Sequence, residues 1–238
     1  MCERSEEDIL KDFKGLFLNK KNIFSELREA HERKPFRVPD HPGNLSSKVC
    51  FVFSCPGQEE LINNEVCSGQ TGTNLNTLLT MLYAKSQYRD IFPSADRSYY
   101  GILNASDIVH FEALDDTTEA DKEELNKTEN TQRITDFLKQ YENLSYIILF
   151  GDKAEKIKET IENYINSITK EDTDPTIHTI DGIYHLGHRG INHITRDLKN
   201  QEISDKNPQY KKSEERTKAR LEVVAQTIIE AIDGKKNP

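Results

Sequence analysis

No apolar run in this chain approaches the ~20 residues that a helix needs to cross a bilayer. The first residues, MCERSEEDIL, place acids where a secretory signal has a basic stretch and then an apolar one. Export is therefore not expected, and a cytoplasmic setting is. Cysteine is scarce: Cys2, Cys50, Cys55 and Cys67 form no C-x-x-C pair, and none lies beyond residue 67. That pattern argues against a disulfide framework, and a zinc site would lack a second ligand pair. Positive charge is also in deficit. Lys+Arg 32 against Asp+Glu 41 leaves a net charge of −9, which argues against a generic polyanion binder but permits a local basic patch. No internal repeat is visible.

What is present fits a single domain with extensions. The 238 residues, 35% hydrophobic and 31% charged, can fill one core and keep a very polar surface. The organising stretch is residues 48–82. Residues 49–53 form a short β-rich apolar run of the kind found in buried parallel strands. Pro56-Gly57 stops it, and an irregular acidic loop is expected next. In Ser68-Gly69-Gln70-Thr71-Gly72, small residues leave backbone amides bare. Leu75, Leu78, Leu79 and Leu82 then recur at helical spacing. Strand, permissive loop and helix N-terminus is how α/β proteins build a site for a polar or anionic ligand.

Before this stretch, residues 3–34 read as one or two amphipathic helices, and the prolines of 35–47 as a surface crossing. After it, strands are expected at 99–105, 146–150 and 176–185. Helices are expected around 134–141, 154–168 and 214–232. Residues 117–130 are nearly all polar or acidic and read as a mobile loop or a solvated turn. Residues 1–47 would form a helical extension, 48–200 the α/β domain, and 201–238 a linker with a closing helix. The expected fold class is α/β, with a central, mostly parallel four-stranded sheet flanked by helices. In such sheets ligands bind outside the carboxyl ends of the strands. That rule selects 54–57, Asn104, Gly151-Asp152 and 185–190.

Four of these segments, in order, resemble motifs of the uracil-DNA glycosylase superfamily. Val52-Phe53-Ser54-Cys55-Pro56-Gly57 resembles the strand and Pro-containing loop that hold the catalytic water. Residues 68–75, SGQTGTNL, resemble the Gly-rich segment of the bacterial and archaeal branches. Gly101-Ile102-Leu103-Asn104 resembles the strand ending in the base-reading Asn. His185-Leu186-Gly187-His188-Arg189-Gly190 resembles the last motif, in which a residue wedges into the DNA stack; in the single-strand-selective branch that residue is Arg, as at Arg189. The resemblance covers roughly residues 49–196.

It implies hydrolysis of the N-glycosidic bond of a flipped-out uracil or modified pyrimidine, leaving an abasic site. The implied partner is DNA, with no metal or cofactor, no membrane, and a monomeric protein. Breaking that bond puts negative charge on the departing base, and a neutral imidazole at His185 would stabilise it. The Asn104 carboxamide holds both a donor and an acceptor for the base edge. Arg189 would fill the vacated stack, while Ser68, Gly69, Gln70, Gly72, Gly187, His188 and Gly190 would meet the DNA backbone. Cys67, Cys55, Gly57 and Gln58 would line the base pocket.

The departures are specific. Ser54 and Cys55 stand where family members often carry an acidic or amide residue that holds water, so either Ser54, Gln58, Glu59 or a backbone carbonyl takes that place or the mechanism leans on leaving-group stabilisation. Cys67 stands where the iron–sulfur branches have a stacking aromatic, which implies a roomier pocket or a substituted base. A phage-type modified cytosine is one such base and would make this a defence protein. The cluster cysteines are missing, so no iron–sulfur centre is expected. Leu186 and Gly187 replace a Pro and a Ser, which leaves the rigidity of the last motif open. Outside the resemblance, His110 and His178 read as structural, and His188, His193 and Arg196 as solvent-facing or phosphate-touching. Two other readings stay open: a catalytically silent relative that binds DNA or a protein, and an α/β nucleotide- or nucleoside-processing enzyme.

Overall fold

The computed structural model describes residues 10, 11, 13, 21–168 and 177–236. Four parallel strands, β1 (Val49–Phe53), β2 (Gly101–Asn104), β3 (Tyr146–Phe150) and β4 (His178–Ile183), form one sheet in the order β2-β1-β3-β4. β1, β2 and β3 are buried along their whole length, as strands covered on both faces must be. Alternation then divides their side chains. Phe51, Phe53, Ile102, Ile148 and Phe150 face one core; Cys50, Val52, Leu103, Ile147 and Leu149 face the other.

The first core is covered by α1 (Lys21–Arg33), α3 (Gly69–Tyr83) and α10 (Ser213–Lys236), with α2 (Gln58–Asn63) at its margin. The second is covered by α6 (Thr128–Leu138) and α8 (Lys158–Ile168). Short helices α4 (Glu112–Asp115), α5 (Lys122–Leu125), α7 (Asp152–Glu155) and α9 (His188–Asn192) fill the connections. The expected inward stripe of α10 holds: Leu221, Val224, Ile228 and Ile232 are all buried.

β2 lies at one edge of the sheet, and the 35–47 crossing protects it. His41 and Ile102 exchange both backbone hydrogen bonds at 2.8 Å, and Val38 N–H donates to the Asp107 carbonyl at 3.0 Å. A covered edge cannot template aggregation.

Several local expectations need correction. The acidic stretch after Pro56 is helical (α2), and the Glu60 carboxylate reaches back to accept from the Gly57 N–H at 2.9 Å, the half of a capping box that a glycine N-cap allows. The Gly-rich segment is not a loop: α3 begins at Gly69, with Ser68 at its N-cap. The strand expected from 99 starts at Gly101, since residues 97–99 form a 3-10 turn. The helix expected over 154–168 is two helices, α7 and α8. The acidic 117–130 stretch carries α5 and the start of α6. Most of the predicted N-terminal helix before residue 21, and the start of the fourth strand at 176, lie outside the described residues.

Candidate active site

The chain leaves β1 toward β2 on one side and leaves β3 toward β4 on the other. The crevice between the carboxyl ends of β1 and β3 is therefore the topological switch point, where open α/β sheets place ligands. Phe53 and Phe150 end those two strands, and their rings stack at 4.9 Å with 5° between planes. The His185 imidazole meets the Phe53 ring edge-on, 5.8 Å between centroids.

His185 is held from several sides. The Gly187 N–H donates to its Nδ1 at 2.9 Å. With Nδ1 accepting, the neutral ring carries its proton on Nε2, so the tautomer is fixed by the chain two residues on. Burial lowers the pKa of the ring, favouring that neutral form. A Cβ on Gly190 would lie 2.2 Å from the His185 carbonyl oxygen, and one on Gly187 2.9 Å from Nδ1, so neither position admits a side chain without moving the histidine. The histidine loop is tied down further along the chain. Leu186 is fully buried, and its carbonyl accepts from Asn74 Nδ2 at 2.7 Å. Asn74 is itself buried, and its Oδ1 accepts from Gln70 at 2.9 Å. One amide thus ties the start of α3 to the histidine loop.

Asn104 ends β2 as the register partner of Phe53, and alternation sets it on the same sheet face as Phe53 and Ile102. It is 2% exposed, and its Nδ2 is buried with no hydrogen-bond partner. A buried donor left dry costs about 1–3 kcal/mol, so a persistent one calls for an account. A ligand acceptor is the simplest.

The first motif is less equipped. Ser54 and Cys55 are half-buried; the Ser54 carbonyl accepts from the Ser106 N–H, and the Cys55 thiol points at the Thr118 carbonyl, 3.5 Å away. Burial pushes the Cys55 thiol up to about 12 and raises that of the buried Cys67 as well. Burial thus disfavours the thiolate, the nucleophilic form, at both. Cys67 takes a left-handed backbone (φ 55°), uncommon for a residue with a side chain. The sunken carboxylate in this region is Glu60, not Glu59. Burial raises the Glu60 pKa, while the Gly57 and Cys67 N–H groups donate to it and pull the other way. Gln58 is half-buried at the start of α2.

Glu59 is exposed and lies against Gly69. It lines an open groove of about 790 Å³ with Asn63, Glu65, Ser68, Gln70 and Arg97. The groove runs beside the crevice, and neither Asn104 nor His185 lines it. The sheet therefore gathers Phe53, Asn104 and His185, while Glu59, Ser68, Gly69, Gln70 and Gly72 belong to the neighbouring groove. His188 and Arg189 are exposed on the first turn of α9, and no ion pair engages Arg189 among the described residues.

Behind the first motif lies a polar cluster that sequence reading missed. His110 Nδ1 meets Asp115 at 2.5 Å, Nε2 meets Glu124 at 2.9 Å, and the Ser106 hydroxyl bonds to Glu124. Burial lowers the His110 pKa, but the Glu124 and Asp115 carboxylates outweigh it and the net shift is upward. Asp115 and Glu124 are thus structural partners of the histidine, and Glu124 is not part of a solvated loop. Phe53 was also missed as a site residue: nothing in the run VCFVF marks which aromatic ends the strand beside a histidine from β4. Among the described residues, no three His, Cys, Asp or Glu side chains are grouped to hold a metal ion. No helix among them is long and apolar enough to cross a membrane. In comparisons with known proteins, no family model matches the chain and no curated protein does so.

Proposed function

We propose that this chain is a monofunctional DNA glycosylase that hydrolyses the N-glycosidic bond of an extruded pyrimidine. The observation that carries the reading is the state of His185: Nδ1 accepts from a backbone N–H and burial disfavours the cation, so a neutral ring beside Phe53 keeps its proton on Nε2. A base leaving with its bonding electrons accumulates charge on O2. A fixed neutral donor there stabilises the anion without itself giving up the proton. Water adds to C1′ as the C1′–N1 bond breaks, the water loses a proton to solvent, and the released base takes one up. The unpaired Nδ2 of Asn104 would find its acceptor on the Watson–Crick edge of the flipped base. Phe53, the register partner of Asn104, packs against His185 and so links the two. Arg189, exposed next to this loop, would occupy the gap in the stack. Ser54 is the side chain of the first motif that could hold the water.

The substrate in this reading is uracil or a substituted pyrimidine. By the resemblance Cys67 would stand where a stacking aromatic is found; it is far smaller, which favours the substituted base, and a phage-type modified cytosine would give the protein a defence role. The test uses three matched DNAs, containing uracil, hydroxymethyl- or glucosylated cytosine, or no modification, with alkali cleavage reporting abasic sites. Cleavage of one of them, sharply slowed in His185→Ala and Asn104→Ala, is the expected result. Absence of abasic sites on all three refutes the reading.

A silent DNA- or partner-binding relative is the second reading. It is favoured by the first motif, where no carboxylate side chain occupies residues 54 and 55 and the Cys55 thiol is directed at a backbone carbonyl. It predicts DNA binding that survives His185→Ala and a wild type that releases no base.

A further inference from the structure

Two charged side chains that the glycosylase chemistry does not use converge on Asn104. Arg133, from α6, donates through Nη2 to the Asn104 carbonyl at 2.7 Å and through Nη1 to the Asp40 carboxylate. Asp40, from the 35–47 crossing, accepts from the Asn104 N–H at 3.3 Å. Asn130 supports the pair: its Oδ1 accepts from Arg133 at 2.9 Å, and its Nδ2 donates to the Ala105 carbonyl at 2.8 Å. The Arg133 and Asp40 side chains are only 19% and 10% exposed.

Burying an ion pair is expensive, and apolar side chains of similar size often serve stability as well or better. Here burial pushes the Asp40 carboxyl up while Arg133 pulls against it. The geometry explains what the pair does that an apolar pair cannot. Along β2, alternate residues turn their backbone polar groups to opposite sides. Ile102 spends its N–H and carbonyl on His41 at the outer edge, and the Ala105 N–H turns inward to Phe53. Asn104, two residues after Ile102, therefore also points its backbone outward, in the gap between the His41–Ile102 and Val38–Asp107 pairings of the covering segment. Asp40 takes its N–H and Arg133 its carbonyl. The residue with the unpaired buried amide is the one whose backbone is gripped on both sides by charge.

We infer that Asp40 and Arg133 are positioning residues that clamp the Asn104 backbone and so set where its carboxamide presents donor and acceptor to a base. The inference rests on the glycosylase reading above. The crossing segment is then part of the site's machinery as well as a cover for the sheet edge.

The test uses the full chain and the modified or uracil-containing DNA that the wild type cleaves. Arg133→Lys keeps the charge but cannot reach the carbonyl and the carboxylate as a planar fork does. Asp40→Asn keeps an acceptor and the side-chain shape. Each is expected to slow single-turnover base release about tenfold or more, as misplacement of a reacting group does. Each should also narrow the preference for the favoured base over plain cytosine, with DNA affinity unchanged. In an Asn104→Ala background the same substitutions should change the residual rate less than about twofold, since nothing is left to position. Equal losses in both backgrounds, or an unaltered base preference, overturn the clamp. Should the wild type release no base, the glycosylase reading itself fails. The clamp is then decided by hydrogen exchange: the Asn104 amide should exchange about tenfold faster in Arg133→Lys, with Phe51 unaffected, and an unchanged rate overturns it.

Discussion

Replacing Gly190 by alanine probes the placement of His185 with a single methyl group. The new Cβ would stand 2.2 Å from the His185 carbonyl oxygen, 2.8 Å from its Cβ and 2.9 Å from its carbonyl carbon. An ordinary contact is near 3.5 Å, so more than 1 Å of overlap must be relieved. Two of the three atoms are backbone, and Leu186, next in the chain, is pinned by Asn74, so the relief has to come from moving the histidine loop. Small-to-large changes in such packing cost about 1–3 kcal/mol. A shift near 1 Å in a reacting group costs roughly 10²-fold in rate. Urea unfolding and single-turnover base release measure the two effects separately. Gly234→Ala is the control: nothing lies within 4 Å of its added Cβ, and near the end of α10, two residues before Lys236, the change should stabilise by no more than about 0.5–1 kcal/mol and leave the rate alone. Gly190→Ala with unchanged stability and a rate within twofold of wild type would refute the argument that this close approach fixes His185.

Asn74→Ala should destabilise by about 1–3 kcal/mol, because it strands the buried Leu186 carbonyl; thermal unfolding checks it, and no change would mean water replaces the amide. His185 and His110 act on stability with opposite signs. His185, lowered by burial, contributes stability that is full above the unfolded value of 6.5 and is lost as pH falls toward its depressed folded value. His110, raised on balance by its carboxylates, contributes stability that is full below 6.5 and is lost as pH rises through its folded value. His110→Gln should therefore flatten the alkaline side of the stability–pH curve, and His185→Gln the acid side; denaturant midpoints across pH 5 to 8 distinguish them. Burial holds Cys50 and Cys67 as thiols, so iodoacetamide at pH 8 should label neither in folded Cys2→Ser protein and both in denaturant, as read by mass spectrometry.

Strands β1 and β3 were legible to the residue, because a short run of apolar β-formers between a turn and a helix is a local pattern. α3 was legible only from Leu75 onward. Its polar first turn, GQTGTN, resembles a loop until Gly72 is seen to accommodate the Cys67 carbonyl and Asn74 to bond the Leu186 carbonyl. The acidic stretch around Glu124 was read as solvated because nothing in the chain nearby says that His110 will be its partner.

The linear chain alone determined the alternation of strands and helices, the apolar faces, and which residues fall just past strand ends. Asn104 and His185 were singled out by that rule. Only the tertiary structure decided that β1 and β3 flank the crevice, that Phe53 bridges toward His185, which imidazole nitrogen keeps its proton, and how Asn104 is gripped. The reason is range. Periodicity and turn chemistry are written within a few residues of each other, whereas the bonds from Asn104 to Asp40 and from Arg133 to Asp40 span 64 and 93 residues. Such partners meet only after the order of strands in the sheet has been settled by the packing of the whole core.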